Sequence, residues 1–208
     1  MLADKLGGEV TEYFLPKDFG DMCIGCTACI LKSEQLCPHY QRLEKLTNAI
    51  DEADVLIFTS PVYVYHVTGA MKSFLDHYGY RWMVHRPEKK MFSKQAVCIS
   101  TAAGAGTKST NKDIADSLFF WGVPKIYKYG VNVRAMSYSR ISDKTKAEID
   151  KKTTDNKIKA KNGKVKVGLK TKAFFEIMRM IQHKSGWNEA DTDYWHNKGW
   201  DGKKRPWK

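Results

Sequence analysis

The stretch Asp54-Val-Leu-Ile-Phe-Thr-Ser-Pro-Val-Tyr-Val-Tyr-His-Val-Thr-Gly-Ala-Met-Lys-Ser-Phe-Leu-Asp76 decides the fold. Its opening run, Val55-Leu56-Ile57-Phe58, is apolar throughout and rich in β-branched and aromatic side chains. A strand buried on both faces reads this way, and such strands belong to parallel sheets covered by helices. Ser60-Pro61 ends the run, because proline brings no amide hydrogen to a ladder. Val67, Ala70, Met71, Phe74 and Leu75 then recur at helical intervals, which predicts a helix with one apolar face. Strand, tight turn and helix make a βα corner of an open α/β sheet, where ligands sit beyond the carboxyl ends of the strands. The turn Thr59 to Tyr65 is the first candidate for a binding site.

Working outward, Leu43, Leu46, Ala49, Ile50 and Ala53 predict a helix over Gln41 to Ala53. Downstream, Lys94 to Ser100 reads as the next buried strand, with Cys98 inside it as a small apolar core residue. The loop Thr101-Ala102-Ala103-Gly104-Ala105-Gly106-Thr107 follows, and small residues there permit close backbone approach to a planar ligand. Ile114, Ala115, Leu118, Phe119 and Trp121 mark a further helix, and Val123 to Val133 a last strand. Before the corner, residues 1–8 resemble the end of a helix, and Val10 to Leu15 reads as a strand closed by Pro16. That gives four strands. The segment 76–92, with His77, Tyr78, Tyr80, Arg81, Trp82, His85 and Arg86, reads either as a substrate entrance or as a subunit contact.

The chemical centre is the segment 21–39. Its spacing is Cys23-x2-Cys26-x2-Cys29-x7-Cys37-Pro38. Three thiolates at two-residue intervals can wrap one face of a cubane cluster, and a fourth ahead of a proline can close it, as in bacterial ferredoxin runs. A 4Fe-4S cluster, no metal at all, zinc, and redox-active thiols all remain open readings of these residues. His39 reads as a helix-start residue rather than a ligand.

The chain has 208 residues, 42% hydrophobic, enough for one well-buried domain and an appendage. No apolar run approaches the roughly 20 residues that span a bilayer, and the first residues lack a signal-peptide core. Five cysteines, four of them within fifteen residues, argue for metal or redox chemistry and a cytoplasmic setting rather than a secreted disulfide framework. The net charge of +12 is lopsided: residues 1–133 carry +1 and residues 134–208 carry +11. A solvated basic extension accounts for this, since no nucleic-acid motif accompanies the charge. Within it, Asp143 to Lys161 reads as a polar helix, and Ala173, Phe174, Ile177, Met178 and Ile181 as the apolar stripe of another, expected to pack against a partner subunit.

Ser60-Pro61-Val62-Tyr63, followed by a helix of the Ala-Met-Lys-Ser-Phe-Leu-Asp kind, resembles the flavin-binding corner of the flavodoxin-like NAD(P)H-dependent FMN reductases. The four-cysteine segment narrows the resemblance toward iron–sulfur flavoproteins. The resemblance implies a flavodoxin-like doubly wound parallel sheet over residues 1–133, with a basic helical extension over 134–208. It implies FMN as cofactor, NAD(P)H as co-substrate, and electron transfer without a general acid–base pair. It places Ser60, Pro61, Val62 and Tyr63 along the ribityl chain and ring of the flavin, and Thr101, Ala102, Ala103, Gly104 and Gly106 beside the ring. Cys23, Cys26, Cys29 and Cys37 would be the cluster ligands. Expected partners are a second copy or three further copies of the chain and a ferredoxin-type donor, with neither nucleic acid nor membrane. The family's first strand and phosphate loop have no counterpart here. The opening is therefore read as an internal start lacking about 30–40 residues of one βα unit, with a sheet completed by another chain as the alternative.

Overall fold

The computed structural model describes residues 1–135, 137–154, 165–184 and 186–208. Three strands, β1 (Val55–Pro61), β2 (Gln95–Ala102) and β3 (Lys125–Asn132), form one parallel sheet in the order β1-β2-β3. The register pairs Phe58 with Cys98 and Pro61 with Thr101. It pairs Cys98 in turn with Lys128. Parallel neighbours need crossover connections, and helices supply them: α4 (Gly69–Asp76) after β1 and α5 (Thr107–Phe120) after β2. The result is the flavodoxin-like α/β arrangement, with the three strands matching the 3-4-5 run of the order 2-1-3-4-5.

One face of the sheet carries the main core. Leu43, Leu46 and Ile50 of α3 (Tyr40–Glu52), Met71, Phe74 and Leu75 of α4, and Ile114 and Leu118 of α5 close over Leu56, Phe58, Ala96 and Cys98. Alternation along β1 sends Val55 and Ile57 to the other face, where Val97, Ile99 and Tyr127 join Leu2 and Leu6 of α1 (Leu2–Leu6). That smaller layer is buttressed by α6 (Asp143–Thr154), through Lys5 Nζ on Asp150 Oδ1 at 2.6 Å. The part of the expected polar helix beyond residue 154 lies outside the described residues.

β1 ends at Pro61, where the sequence reading put its stop. One expectation about strands is corrected. Val10 to Leu15 is not a strand; Val10 and Phe14 are exposed, and only Tyr13 and Leu15 reach the core. A strand needs a ladder, and among the described residues no strand stands between this segment and β1 to provide one.

The C-terminal extension builds its own core on the same chain. Phe175 and Met178 of α7 (Leu169–Lys184) and Trp195 of α8 (Glu189–Lys198) gather with Met83, Phe92 and Trp200. The buried face of α7 runs through Thr171, Phe175, Met178 and Gln182, so the expected stripe is rotated and Ile177 stands exposed. Buried Gln182 donates its Nε2 to Val84 O at 2.9 Å, while its Oε1 is buried without a hydrogen-bond partner. Much of the segment 76–92 packs within the chain. His77, Tyr78, Arg81 and Arg86 are buried, and Trp82 stacks on Phe120 at 4.4 Å.

Candidate active site and thiol centre

The two loops expected to border a flavin do meet. Val62 N donates to Thr101 O at 2.8 Å, one step beyond the paired ends of β1 and β2. Ser60, almost fully buried, donates its Oγ to Pro61 O at 2.9 Å and accepts from Thr68 N at 3.2 Å, tying the corner to the start of α4. Gly106 has φ 94°, and a Cβ there would stand 2.6 Å from Val62 Cγ1. The second loop can close on the first only because that atom is missing. Pro61, Tyr63, Thr101, Ala103 and Gly104 form an exposed rim, while Ala102 is turned inward. A Cβ at Gly104 would meet nothing within 4 Å. An open, small-residue rim facing a turn fits the edge and face of a planar ring.

Between Tyr63 and His66 the chain makes a two-residue hairpin, with reciprocal backbone hydrogen bonds of 3.0 Å. Its central residues Val64 and Tyr65 have φ 49° and 67°, the left-handed pair of a type I′ turn. That conformation suits Asn-Gly and strains a β-branched residue such as valine. Two side chains of α5 hold it. Ser109 Oγ donates to Tyr65 O, and Asp113 Oδ2 takes His66 Nδ1 at 2.9 Å and Val67 N at 3.3 Å. Neither Ser109 nor Asp113 was singled out from the sequence. Their spacing of four, which puts both on one face of a helix, is the signal that was there to read.

The four cysteines of the second centre line one hollow, together with Pro38, His39 and His77. Gly25 at φ 68° and Thr27 at φ 57° turn the chain tightly between them, and the four-residue helix α2 (Ala28–Leu31) carries Cys29. Cys23 and Cys26 are exposed, whereas Cys29 and Cys37 are half-buried. Burial raises the pKa of Cys29, and the neighbouring thiols Cys37, Cys23 and Cys26 raise it further. Burial likewise raises that of Cys37, partly offset by a backbone hydrogen bond from His39. Like charges crowd here when the thiols ionise, so a cation is what the arrangement lacks.

His39 does stand at the head of α3, but its side chain caps nothing there. Its ring turns into the hollow instead. His39 Nδ1 lies 2.9 Å from His77 Nε2, and His77 Nδ1 lies 2.8 Å from Ser73 O. The carbonyl can only accept, so His77 donates through Nδ1 and accepts from His39 at Nε2. Burial lowers the pKa of His77 and keeps this ring neutral. Cys37, His39 and His77 bring ligand atoms within 4.8 Å of one another. Four thiols with two imidazoles beside them form a soft donor set, which fits an iron–sulfur cluster or another thiophilic metal. The thiol hollow and the flavin corner lie at opposite ends of α4, whose eight residues span about 12 Å.

The family model for NADPH-dependent FMN reductases matches residues 1–135, well over half of the chain. The chain belongs to the NADPH-dependent FMN reductase family. It is a flavin oxidoreductase by that membership, and FMN and NAD(P)H are the cofactor and co-substrate that fit. Both candidate centres fall inside the matched residues. A curated iron–sulfur flavoprotein from Archaeoglobus fulgidus is 26% identical over 201 residues, covering 93% of this chain and 86% of that protein. Among solved structures, the apo form of an NADH:FMN oxidoreductase aligns at TM-score 0.43 and 21% identity. That alignment covers 61% of this chain and 62% of the other. A flavone reductase aligns at TM-score 0.43 and 14% identity, over 71% of this chain and 50% of that one. No helix among the described residues of this FMN reductase family member is long and apolar enough to cross a membrane.

Proposed function

We propose that this family member takes electrons from NAD(P)H or a ferredoxin-type donor onto FMN and passes them on through a 4Fe-4S cluster held by Cys23, Cys26, Cys29 and Cys37. The observation that carries this reading is the meeting of four thiols in one hollow, within the same family-matched segment as the flavin corner. The kinship with an iron–sulfur flavoprotein supports it. Bound FMN would supply the exchange between two-electron and one-electron chemistry, and a cluster would carry single electrons.

The chain's own part is to position and to exclude. Ser60 fixes the corner that would border a bound flavin, and Gly106 lets the second loop approach. Tyr63 and Tyr65 offer aromatic faces at the rim. Asp113 and Ser109 hold the strained turn so that Tyr63 keeps its place. A hydride or electron transfer needs no general acid–base pair, and none is assigned here. Exposed Met22, Ile24, Leu31 and Leu36 surround the thiol loop, and exposed Val64 caps the flavin turn. These apolar side chains support a dimer or tetramer in which both centres lie near a subunit contact.

The test is NAD(P)H oxidation with added FMN and an artificial acceptor, followed beside the quenching of flavin fluorescence. Saturable FMN binding with acceptor-dependent NAD(P)H oxidation is expected. Flavin binding without NAD(P)H oxidation would leave a ferredoxin-type donor; absence of both would refute the reading.

A further inference from the structure

Arg86 is nearly buried and reaches across the molecule to the thiol loop. Its Nη2 donates to Cys29 O, and its Nη1 donates to Ile30 O at 2.9 Å. These carbonyls belong to α2, a helix of four residues. Helices leave their last carbonyls without intrahelical donors; here Lys32 N takes Ala28 O, and the carbonyls of Cys29 and Ile30 are the ones Arg86 reaches. A guanidinium presents several donors in a planar fork, so one side chain can take two such carbonyls at once.

Arg86 is itself held from behind. Asp191, wholly buried in the first turn of α8, takes Arg86 Nη1 on Oδ1 at 2.6 Å. Its Oδ2 meets His85 Nδ1 at 2.7 Å and Asn188 Nδ2 at 2.8 Å. Asn188 caps α8 by accepting from Asp191 N at 2.9 Å. The same helix grips the loop before β2 twice more, through Tyr194 OH on Pro87 O at 2.8 Å and Trp195 Nε1 on His85 O at 2.5 Å. A buried charge pair with every neighbour satisfied is rigid, since breaking either half leaves an unpaired charge in the interior.

From this chain of contacts we infer that Arg86, locked by Asp191 of the C-terminal extension, is the positioning residue for the thiol loop. It fixes the backbone that carries Cys29. The extension is then a working part of the thiol centre rather than a basic tail. The effect on a cluster rests on the cluster reading above; the effect on the Cys29 backbone does not.

The experiment compares wild type with R86K and with the double variant R86M/D191N, which removes both charges together. In cluster-free, reduced protein, the alkylation rates of Cys29 and Cys23 are followed by peptide mass spectrometry. The Cys29-to-Cys23 ratio is expected to rise several-fold in the double variant, because the backbone that keeps Cys29 half-buried loses its hold while Cys23 is already exposed. R86K, which keeps the charge but loses the fork, should fall between. An unchanged ratio in variants that keep the wild-type circular dichroism would overturn the inference. Should the double variant fail to fold, R86K decides by the same ratio, a raised value supporting the role and a wild-type value refuting it. In iron-reconstituted protein, release of iron to a chelator should quicken by a similar factor. If wild type takes up no iron, the cluster reading falls while the alkylation ratio still judges Arg86.

Discussion

Gly106 and Val62 touch where two adjacent strands end: a Cβ at Gly106 would lie 2.6 Å from Val62 Cγ1 and 3.0 Å from Tyr65 Cα. Tyr65 belongs to the strained turn, which α5 already pins in place, and Val62 is tied to Thr101 O, so neither can yield cheaply. Gly106→Ala is expected to cost about 1–3 kcal/mol, from overpacking and from the left-handed φ together. It should also weaken FMN binding, because the turn that borders the ring must shift. Denaturant midpoints and fluorescence titration measure the two effects, and a variant with wild-type values of both would contradict the account of the corner.

Cys26 is exposed. Cys26→Ser should therefore leave stability within about 0.5 kcal/mol. Iron content per chain should nonetheless collapse, since a hydroxyl is a poor substitute for a thiolate at iron. Circular dichroism and iron assay on the same sample check both halves. Wild-type iron in the variant would remove Cys26 from the ligand set.

Cys98 is fully buried on β2, and burial pushes its thiol pKa up to about 12 from an ordinary value near 9. The folded chain keeps this thiol neutral while the unfolded chain ionises it. Its contribution is thus complete below pH 9 and drains away as pH rises toward 12. At pH 10.5 the loss would be about 2 kcal/mol. Tyr78, also raised to about 12, shifts stability in the same direction, so the comparison with Cys98→Ala isolates the thiol. Chemical denaturation at pH 8 and pH 10.5 should show a smaller pH effect in that variant; equal slopes would refute the assignment.

Phe175 is the centre of the second core, meeting Trp195 at 4.8 Å and Trp207 at 5.0 Å between ring centroids. Phe175→Ala should cost about 3–5 kcal/mol. Exposed Ile177, by contrast, should tolerate Ala with little loss. Thermal melts of the pair distinguish a helix packed by Phe175 from one packed by the Ile177 face.

These cases show what the amino-acid pattern could carry. Buried parallel strands announce themselves by composition, so Val55 to Phe58 and Ala96 to Ile99 were legible, as were the helices of the main core. Val10 to Leu15 has strand composition but no ladder, and composition cannot report a missing neighbour. On α7, Phe174 and Phe175 sit side by side, and periodicity alone could not say which turns inward. Phe175 packs on Trp195, and the Val84 carbonyl takes Gln182 Nε2 on the same buried face. Among candidate site residues, the spacing of Cys23, Cys26, Cys29 and Cys37 anticipated their meeting in one hollow, and the corner Ser60 to Tyr63 its meeting with the Thr101 loop. His77, Asp113 and Arg86 were not legible, because their partners are remote in sequence: Arg86 and Asp191 are 105 residues apart.

The central claim is that a flavin and a four-thiol cluster share this chain. The most direct measurement is an anaerobic absorption spectrum of the purified, reconstituted protein, with flavin, iron and sulfide quantified on the same sample. The account predicts flavin bands overlaid by broad cluster absorption, with about four irons and four sulfides per chain. Flavin bound at full occupancy with neither iron nor sulfide would contradict it.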